Sequence, residues 1–354
     1  METNYAAPRE VGQYSTRAFI LAAIFLGVGA IGLFTGNAAA FFQSYLVGYF
    51  YALCFALGCL GLLMVQHLSG GGWGIAIRRM LEAGAKTIPF FAILFIPIIL
   101  GAGHIYEWTH EEAVNNSHIL HSKAGYLNMS FWLVRAVIYF VFWTSLAYGL
   151  SKISLRQDKI GDPNLSDRMM YISGPGLLFF ILLCTFASVD WFMSTEPEWF
   201  STIYGMLFIA QQAVSVIAFM IVVGVLLASR APMNEVMQAK HLHDLGKFML
   251  AFTMLWAYFS FSQYIIVWAG NLPEETTWYL KRARGFSEYM AWFIILCHFF
   301  LPFAILLSRD VKRRAGAIAK IAGFMIFMRF VDAIWFLAPG FSKINGATGD
   351  GIGA

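Results

Sequence analysis

Charged side chains are scarce in this sequence. Asp, Glu, Lys and Arg make up 12% of its 354 residues, whereas 59% are hydrophobic and the mean hydropathy is +0.66. This composition excludes a soluble globular domain and favours a membrane protein. The basic segment and small-residue cleavage site of a secretory signal are also missing before the first apolar run, which is therefore interpreted as a retained helix.

Cysteine is equally rare, and its spacing carries no metal motif. The four cysteines, Cys54, Cys59, Cys184 and Cys297, each lie in an apolar run, and none belongs to a CxxC or CxxCH sequence. We therefore expect no iron–sulfur cluster, c-type haem or zinc ion on this chain. The phosphate-binding motif GxxxxGK[ST] is missing too, and no nucleic-acid partner is expected.

Long apolar runs are what the sequence has in abundance. A helix that spans a bilayer needs about 20 mostly apolar residues. Nine such runs are predicted, at 18–35, 42–66, 87–106, 129–150, 172–193, 202–228, 246–268, 288–307 and 315–337. The expected fold class is an all-α polytopic membrane protein with nine transmembrane helices.

Lys and Arg are distributed unevenly between the predicted loops. If the N-terminus is cytoplasmic, sixteen lie in inside segments, five in outside loops and three within the spans. This bias predicts a multi-pass protein with a cytoplasmic N-terminus. The turn FASVDWFMSTEPEWFSTIYG, at 186–205, is then external. It carries three carboxylates, Asp190, Glu196 and Glu198, between two long apolar runs.

A shift of 160 residues reveals an internal repeat. Trp108 falls on Trp268, and Trp132 falls on Trp292. Predicted helices 2–5 then correspond to helices 6–9, as two four-helix bundles with helix 1 peripheral. The expected domains are 1–40 (N-terminal segment and helix 1), 41–195 (first bundle), 196–340 (second bundle) and 341–354 (C-terminal tail).

Five of the ionisable residues within or at the ends of predicted spans are functional candidates, because each needs a partner or water there. Asp190 is interpreted equally well as an interfacial cap or as a proton-transfer group, with Arg135 as a counter-ion. Arg329 and Asp332 are three residues apart and share a helix face, so they can pair. His298 is either a packing residue or a proton relay. Together the five residues form a candidate proton path.

Two other functions remain open from the residues alone. A secondary transporter would carry paired helix breaks near the midplane. Pro97 and Pro302 are the prolines predicted deep within spans, and they do not coincide under the 160-residue shift, which disfavours transport. A purely structural scaffold subunit is the remaining alternative.

Several stretches resemble the ActF-type membrane subunit of alternative complex III, a bacterial quinol:cytochrome c oxidoreductase related to the membrane subunits of polysulfide reductase. The longest is HLHDLGKFMLAFTMLWAYFSFSQYIIVWAGNLPEETTWYLKR, from His241 to Arg282. The others are HLSGGGWG, RRMLEA, GYLNMSFWLVR, SVDWFMSTEPEWFSTIYG and CHFFLPFAILLSR. The family has ten helices, two four-helix bundles flanked by one helix on each side, whereas nine are predicted here.

The resemblance implies a subunit of a respiratory or photosynthetic complex in the bacterial inner membrane. Quinol, such as menaquinol, would be oxidised on the external side. The acidic external turn would then suit proton release and the docking of a positively charged electron carrier, and it would suit an inert interface subunit nearly as well. Electrons would pass to partner subunits that carry iron–sulfur clusters and c-type haems, and onward to cytochrome c or a terminal oxidase. An ActC-type subunit would be a further partner. Asp190 matches the DWxMS element of the ActC quinol site, and His104 and Glu107 are further candidate equivalents. This subunit would contribute proton transfer and architecture, with quinol or a lipid as its own ligand.

The cysteine spacing gives a first testable prediction. The chain should copurify with haem- and cluster-bearing subunits while binding no metal itself. Metal analysis of the isolated subunit checks this, and stoichiometric iron on this chain alone would refute it.

Overall fold

The computed structural model describes residues 9–34, 37–230 and 233–343. In these ranges the chain forms helices and no strand. Nine of the described helical segments are long and apolar enough to cross a membrane, which confirms an all-α polytopic membrane protein. Spans 1–9 are Ser15–Gly32, Ala38–Ser69, Gly72–Leu100, Met129–Ile160, Asn164–Thr195, Tyr204–Leu227, Ala239–Gly270, Phe286–Leu307 and Ala315–Phe341.

Several helices extend beyond the apolar runs. Span 4 was predicted to end at residue 150 but continues to Ile160. The last turns escaped the prediction because they are polar, and the prediction was based on apolar runs. It begins where the Asn128 side chain accepts a hydrogen bond from the Phe131 N–H at 2.9 Å. It ends at Gly161, whose φ of 68° is a left-handed conformation that glycine adopts without strain.

Prolines interrupt the helices in different ways. Span 3 consists of three helices, Gly72–Ala85, Ile88–Leu94 and Ile96–Leu100, and Pro97 lies in the last. Before Pro302, span 8 widens into a π-helical turn at Ile295–Phe300, because proline removes a backbone N–H and crowds the preceding turn. The expectation that Pro97 and Pro302 are the two prolines deep within spans was wrong, because a third proline also lies inside a spanning helix.

Pro175 is the third proline. It lies inside the helix Asn164–Trp191, which starts eight residues before the predicted span. The early start was missed because the first turns carry polar residues, with Asp167 placed favourably at the helix N-terminus.

The spans contact one another in two rings. In the first ring, span 2 contacts span 3, span 3 contacts span 4, span 4 contacts span 5, and span 5 returns to span 2. Spans 6–9 make the same cycle in the same order. Span 1 packs on span 2. The two rings therefore correspond span for span, while the domain boundaries and the residue-level repeat stay predictions.

The predicted repeat pairs occupy different surroundings. Trp108 is 5% exposed and Trp132 is fully buried. Their partners under the shift, Trp268 and Trp292, are 72% and 59% exposed. Both rings thus share an order of contacts without sharing a core. Of the predicted C-terminal tail, 344–354 lie outside the described residues, as do 1–8 and 35–36 of the predicted N-terminal segment.

Spans 2 and 6 form the centre of the molecule. Span 2 also contacts span 9, and span 6 also contacts span 5, so each central helix touches both rings. Spans 2 and 6 also contact each other, and Gly58 of span 2 allows them to approach closely. A Cβ atom at Gly58 would lie 2.6 Å from the Gln212 carbonyl oxygen and 2.9 Å from the Val216 Cβ, both on span 6. The absence of a side chain at Gly58 is therefore a requirement of the ring contact.

We call the end of the molecule that carries residues 192–203 the turn end, and the opposite end the basic end. The loops after spans 3 and 7 also lie at the turn end, because Lys123 Nζ donates to the Pro197 carbonyl and Trp199 Nε1 donates to the Glu275 carbonyl.

Gly58 gives a prediction with an internal control. Gly58→Ala should destabilise the protein by about 1–3 kcal/mol through overpacking. Gly48→Ala, on the same helix, should change stability little, because a Cβ atom there meets nothing within 4 Å. Thermal unfolding of the two purified variants measures the difference, and equal unfolding temperatures would contradict the close contact.

Candidate functional site

The carboxylate of Asp190 is enclosed by a guanidinium and a phenol. Asp190 lies in the last turn of span 5 and is fully buried. Arg135 of span 4 donates from Nε to Oδ2 at 2.7 Å and from Nη2 to Oδ1 at 2.9 Å. Tyr139, one helical turn from Arg135, donates its hydroxyl to Oδ2 at 2.7 Å. Three donors, two of which form a bidentate guanidinium fork, are the surroundings that an ionised carboxylate needs away from water.

The guanidinium of Arg135 is itself held on several sides. Its Nη1 donates to the Tyr126 carbonyl at 3.0 Å. Its Cζ lies 3.9 Å from the ring centroid of Tyr126 and 4.3 Å from that of Phe131. These cation–π contacts and hydrogen bonds surround the Arg135 guanidinium with protein groups, and we therefore call Arg135–Asp190 a closed pair. The arrangement favours a structural tie between spans 4 and 5, and the role of Asp190 and Arg135 in a proton path stays a prediction.

Side chains from three segments satisfy the carbonyls at the end of span 5. The Asp190 carbonyl accepts from Trp132 Nε1 at 2.9 Å and from Ser194 Oγ at 2.6 Å. The Trp191 carbonyl accepts from the Tyr106 hydroxyl at 2.9 Å. The last carbonyls of a helix have no partners within it, and a buried helix end must find them elsewhere. The Ser194 side chain of the DWFMS sequence is thereby accounted for by capping.

His104 and Glu107, predicted as quinol-site equivalents beside Asp190, do not join its carboxylate cluster. His104 is exposed, and its ring stacks on Phe42 of span 2 with the centroids 5.5 Å apart. Glu107 begins a short 3-10 turn and is half-buried. Between them, Tyr106 is the residue that reaches span 5. Sequence reasoning missed Tyr106, because an aromatic residue near an interface carries no distinctive signal.

Glu196, in the turn after span 5, joins the two rings. Its Oε1 accepts from Arg282 Nη2 at 2.9 Å, and its Oε2 accepts from Lys281 Nζ at 2.8 Å. Burial alone would raise the pKa of the Glu196 carboxyl, but Arg282 and Lys281 outweigh it and hold the pKa below its usual value. Glu196 is therefore ionised and paired at neutral pH.

Arg282 extends this connection into span 9. It donates to the carbonyls of Trp278, Trp335 and Phe336 at 3.0, 3.3 and 2.7 Å. Its Cζ lies 3.7 Å from the Trp278 ring centroid. One arginine thus links the turn after span 5 with the ends of the second ring.

These contacts revise the interpretation of the acidic turn. Of its three carboxylates, Asp190 and Glu196 are buried in ion pairs, and Glu198 is exposed. The turn does not present all three acids for docking. Its charge serves mainly to hold the spans together.

Asp332 pairs with Arg329 inside the second ring, as the three-residue spacing predicted. Asp332 is 2% exposed and Arg329 is fully buried. Span 6 supplies further polar contacts. Gln211 Nε2 donates to Asp332 Oδ2 at 3.2 Å, and Arg329 Nε donates to Ser215 Oγ at 3.4 Å. Span 6 thereby contacts both charges of the pair.

Asp332 differs from Asp190 because it lines a cavity. The cavity, which we call the second-ring cavity, has a volume of about 730 Å³ and lies among spans 6–9 and the helix Pro273–Arg282. Trp256, Trp278 and Trp335 contribute aromatic walls. This size lies within the usual range for small-molecule sites, which are concave, mostly apolar and fitted with a few polar groups.

Two glutamine side chains on the wall have unused hydrogen-bonding capacity. Gln263 is 2% exposed, and neither of its amide atoms has a partner within the described residues. Gln211 bonds Asp332 through Nε2, while its Oε1 has none there. Buried amides rarely remain unbonded, because an unmade bond costs about 1–3 kcal/mol. A ligand or water with both donor and acceptor atoms would satisfy these groups.

The cavity has aromatic side chains at its outer edge. Phe261 of span 7 and Trp292 and Phe300 of span 8 line it and are 64%, 59% and 55% exposed. Spans 7 and 8 contact each other through the π-helical turn and Leu301–Leu307, toward the basic end. The edge of the cavity therefore faces outward between spans 7 and 8, where hydrocarbon surrounds a membrane protein.

His298 lies behind the cavity wall. It is fully buried in the π-helical turn, and its ring centroid is 4.2 Å from that of Trp256. Neither ring nitrogen has a hydrogen-bond partner among the described residues. The π-helical turn places His298 against Trp256, which is itself a wall residue of the cavity.

The predicted proton-path residues thus fall into two places. Asp190 and Arg135 form one closed pair in the first ring. In the second ring, Asp332 lines the cavity, Arg329 pairs with it, and His298 lies behind the wall residue Trp256. Within the described part of the chain, no group of three His, Cys, Asp or Glu side chains could hold a metal ion. The second-ring cavity has the groups needed to bind a molecule with a polar head group and to accept a proton at the Asp332 carboxylate.

The geometry defines an integral membrane protein with a mostly apolar cavity, fitted with a few polar groups, inside its second helix ring. No protein-family model matches the chain, and no curated protein matches it.

The Arg135–Asp190 pair predicts strong energetic coupling. Asp190→Asn or Arg135→Gln alone should cost about 3–5 kcal/mol, because each leaves a buried charge without its partner. The double variant should lose much less than the sum of the two. A double-mutant cycle of unfolding free energies measures the coupling.

The exposed Lys247–Asp244 pair provides the matched control, with nitrogen and oxygen 3.1 Å apart. Asp244→Asn should cost less than about 1 kcal/mol. Additive effects at Arg135 and Asp190 would contradict the closed pair.

Proposed function

We propose that this chain is a membrane subunit of a quinol-oxidising respiratory or photosynthetic complex, similar to the ActF-type subunit of alternative complex III. The motifs from His241 to Arg282 and around Asp190 support the family, and the second-ring cavity supports the chemistry. The setting is a bacterial inner membrane with the N-terminus in the cytoplasm. Iron–sulfur, c-type haem and ActC-type subunits are the partners, with cytochrome c or a terminal oxidase as acceptor.

The observation that carries the proposal is the combination of a lipid-facing entrance with a buried carboxylate. A quinol is insoluble in water and reaches its site from the bilayer, so the edge between spans 7 and 8 suits its entry. Its flat ring fits against the Trp256, Trp278 and Trp335 side chains. Its hydroxyls supply the donors, and its oxygens the acceptors, that Gln263 and Gln211 require.

Oxidation of a quinol releases two electrons and two protons. The electrons leave for the redox subunits, and the protons need acceptors at the site. Asp332 lies on the cavity wall and would accept the two protons one at a time, passing the first onward before it takes the second. His298, next to Trp256, is the candidate for that onward transfer. Arg329 would hold the Asp332 carboxylate in position between turnovers, because the two side chains form an ion pair.

The test separates binding from turnover. Asp332→Asn keeps the shape of the side chain but removes the proton acceptor. In the assembled complex it should lower quinol:cytochrome c turnover about a hundredfold or more, the usual contribution of a positioned base. His298→Phe should lower proton release without preventing assembly. Asp244→Asn, an exposed acid on span 7, is the control and should leave turnover unchanged.

Binding of a short-tailed hydroquinone to the purified chain gives the second readout. Quenching of cavity tryptophan fluorescence should persist in Asp332→Asn and weaken in Gln263→Leu. If Asp190→Asn, His298→Phe and Asp332→Asn all assemble and turn over quinol with the parental rate and proton stoichiometry, the scaffold function replaces this proposal. If the purified chain moves a solute across vesicles instead, it is a transporter.

A further inference from the structure

A second concave site lies at the basic end, on the outside of the first ring. It is a groove of about 630 Å³ between Lys86, at the break in span 3, and the last three turns of span 4. We call it the basic groove. It is separate from the second-ring cavity, so its interpretation is independent of the proposed function.

Four cations line the basic groove. Lys152, Arg156 and Lys159 recur every three or four residues, so they share one face of span 4, and Lys86 faces them from span 3. The span 4 cations are exposed, and Lys86 is half-buried. The nearby acid Asp158 is paired with Arg79. The groove therefore has a net positive charge that its own surroundings do not neutralise.

The walls of the groove are apolar as well as basic. Tyr148 and Leu155 line it and are 50% and 46% exposed. Gly149 leaves a gap in the helix surface, because a Cβ atom there would meet nothing within 4 Å. A site with exposed apolar walls and cations together suits an amphiphile rather than a water-soluble anion.

Ser151 is an independent indication of a ligand. It lines the groove and is 1% exposed, and its Oγ has no hydrogen-bond partner among the described residues. A serine in a helix usually bonds the carbonyl one turn earlier. Its buried hydroxyl is available here to donate to a ligand oxygen.

The depth of the groove matches the head-group layer. Span 4 has 32 residues, so at about 1.5 Å per residue it is longer than the hydrocarbon thickness of about 30 Å. Starting from Met129 at the turn end, its last turns project into the interface. Tyr148 would then lie near the acyl boundary, and Lys152 and Arg156 would lie at the depth of the head groups.

We propose that the basic groove binds an anionic phospholipid. The phosphate would lie among Lys152, Arg156, Lys159 and Lys86, with the Ser151 hydroxyl donating to a phosphate or ester oxygen. An acyl chain would follow Tyr148, Gly149 and Leu155. Basic pockets between transmembrane helices on the cytoplasmic side of a membrane recognise such head groups. The bias of Lys and Arg between the loops predicts that the basic end is the cytoplasmic one.

The test uses the purified full-length chain in detergent, titrated with cardiolipin or phosphatidylcholine. Native mass spectrometry measures the lipid-bound fraction. Cardiolipin should bind and phosphatidylcholine should not compete at equal concentration. The triple variant K152Q/R156Q/K159Q should weaken cardiolipin binding about a hundredfold, since each cation near an anionic surface contributes about fivefold.

R309Q/R313Q/R314Q is the matched control, because it removes three exposed cations from another segment at the same end. It should retain parental binding. Gly149→Leu fills the gap without removing charge and favours the helix, so it should weaken lipid binding while the chain stays folded. Thermal unfolding without lipid verifies folding.

Two results would overturn the proposal. Equal loss in the groove and control triples would mean that cardiolipin follows total charge rather than this site. Displacement of cardiolipin by inorganic phosphate at the same concentration, with Gly149→Leu binding normally, would identify a phosphate site instead of a lipid site.

Discussion

The structure depends on the cost of an ionised side chain in a medium without water. A lone carboxylate at membrane depth must be paired, neutral or hydrated. Asp190 meets this condition with Arg135 and Tyr139, and in doing so fixes span 5 to span 4. Asp332 meets it with Arg329 but keeps a surface on a cavity. The same constraint thus produces a structural tie in one ring and a candidate reaction site in the other.

Much of the architecture could be predicted because it follows from hydropathy and local spacing. Nine apolar runs became nine candidate spans within the described residues, and residues three apart on a helix, Arg329 and Asp332, formed the expected pair. Helix ends were less predictable. Span 4 continues through Ile160 because capping and tertiary contacts, rather than hydropathy, decide where a helix stops. The same weakness hid Pro175 inside span 5.

The parts that escaped prediction depend on residues far apart in the chain. Nothing near Glu196 in the sequence points to Arg282, 86 residues away, and the turn therefore resembled an exposed acidic patch. Gln263 is one polar residue in an apolar helix, and nothing near it in the sequence indicates that its amide lies on a cavity wall without a partner among the described residues. Tryptophans that coincide under the repeat differ in burial, because correspondence of helix order does not impose correspondence of core.

Locating the bound quinone tests most directly the proposal that quinol binds in the second-ring cavity. A photoreactive quinone added to the assembled complex, followed by peptide mapping, reports which side chains surround the bound ring. The account predicts that this chain is labelled on segments that line the second-ring cavity, within 256–300 and around Asp332, and that excess unlabelled quinol prevents the labelling. Protectable labelling that falls beside Asp190 and Arg135, or on partner subunits with none on this chain, would contradict it.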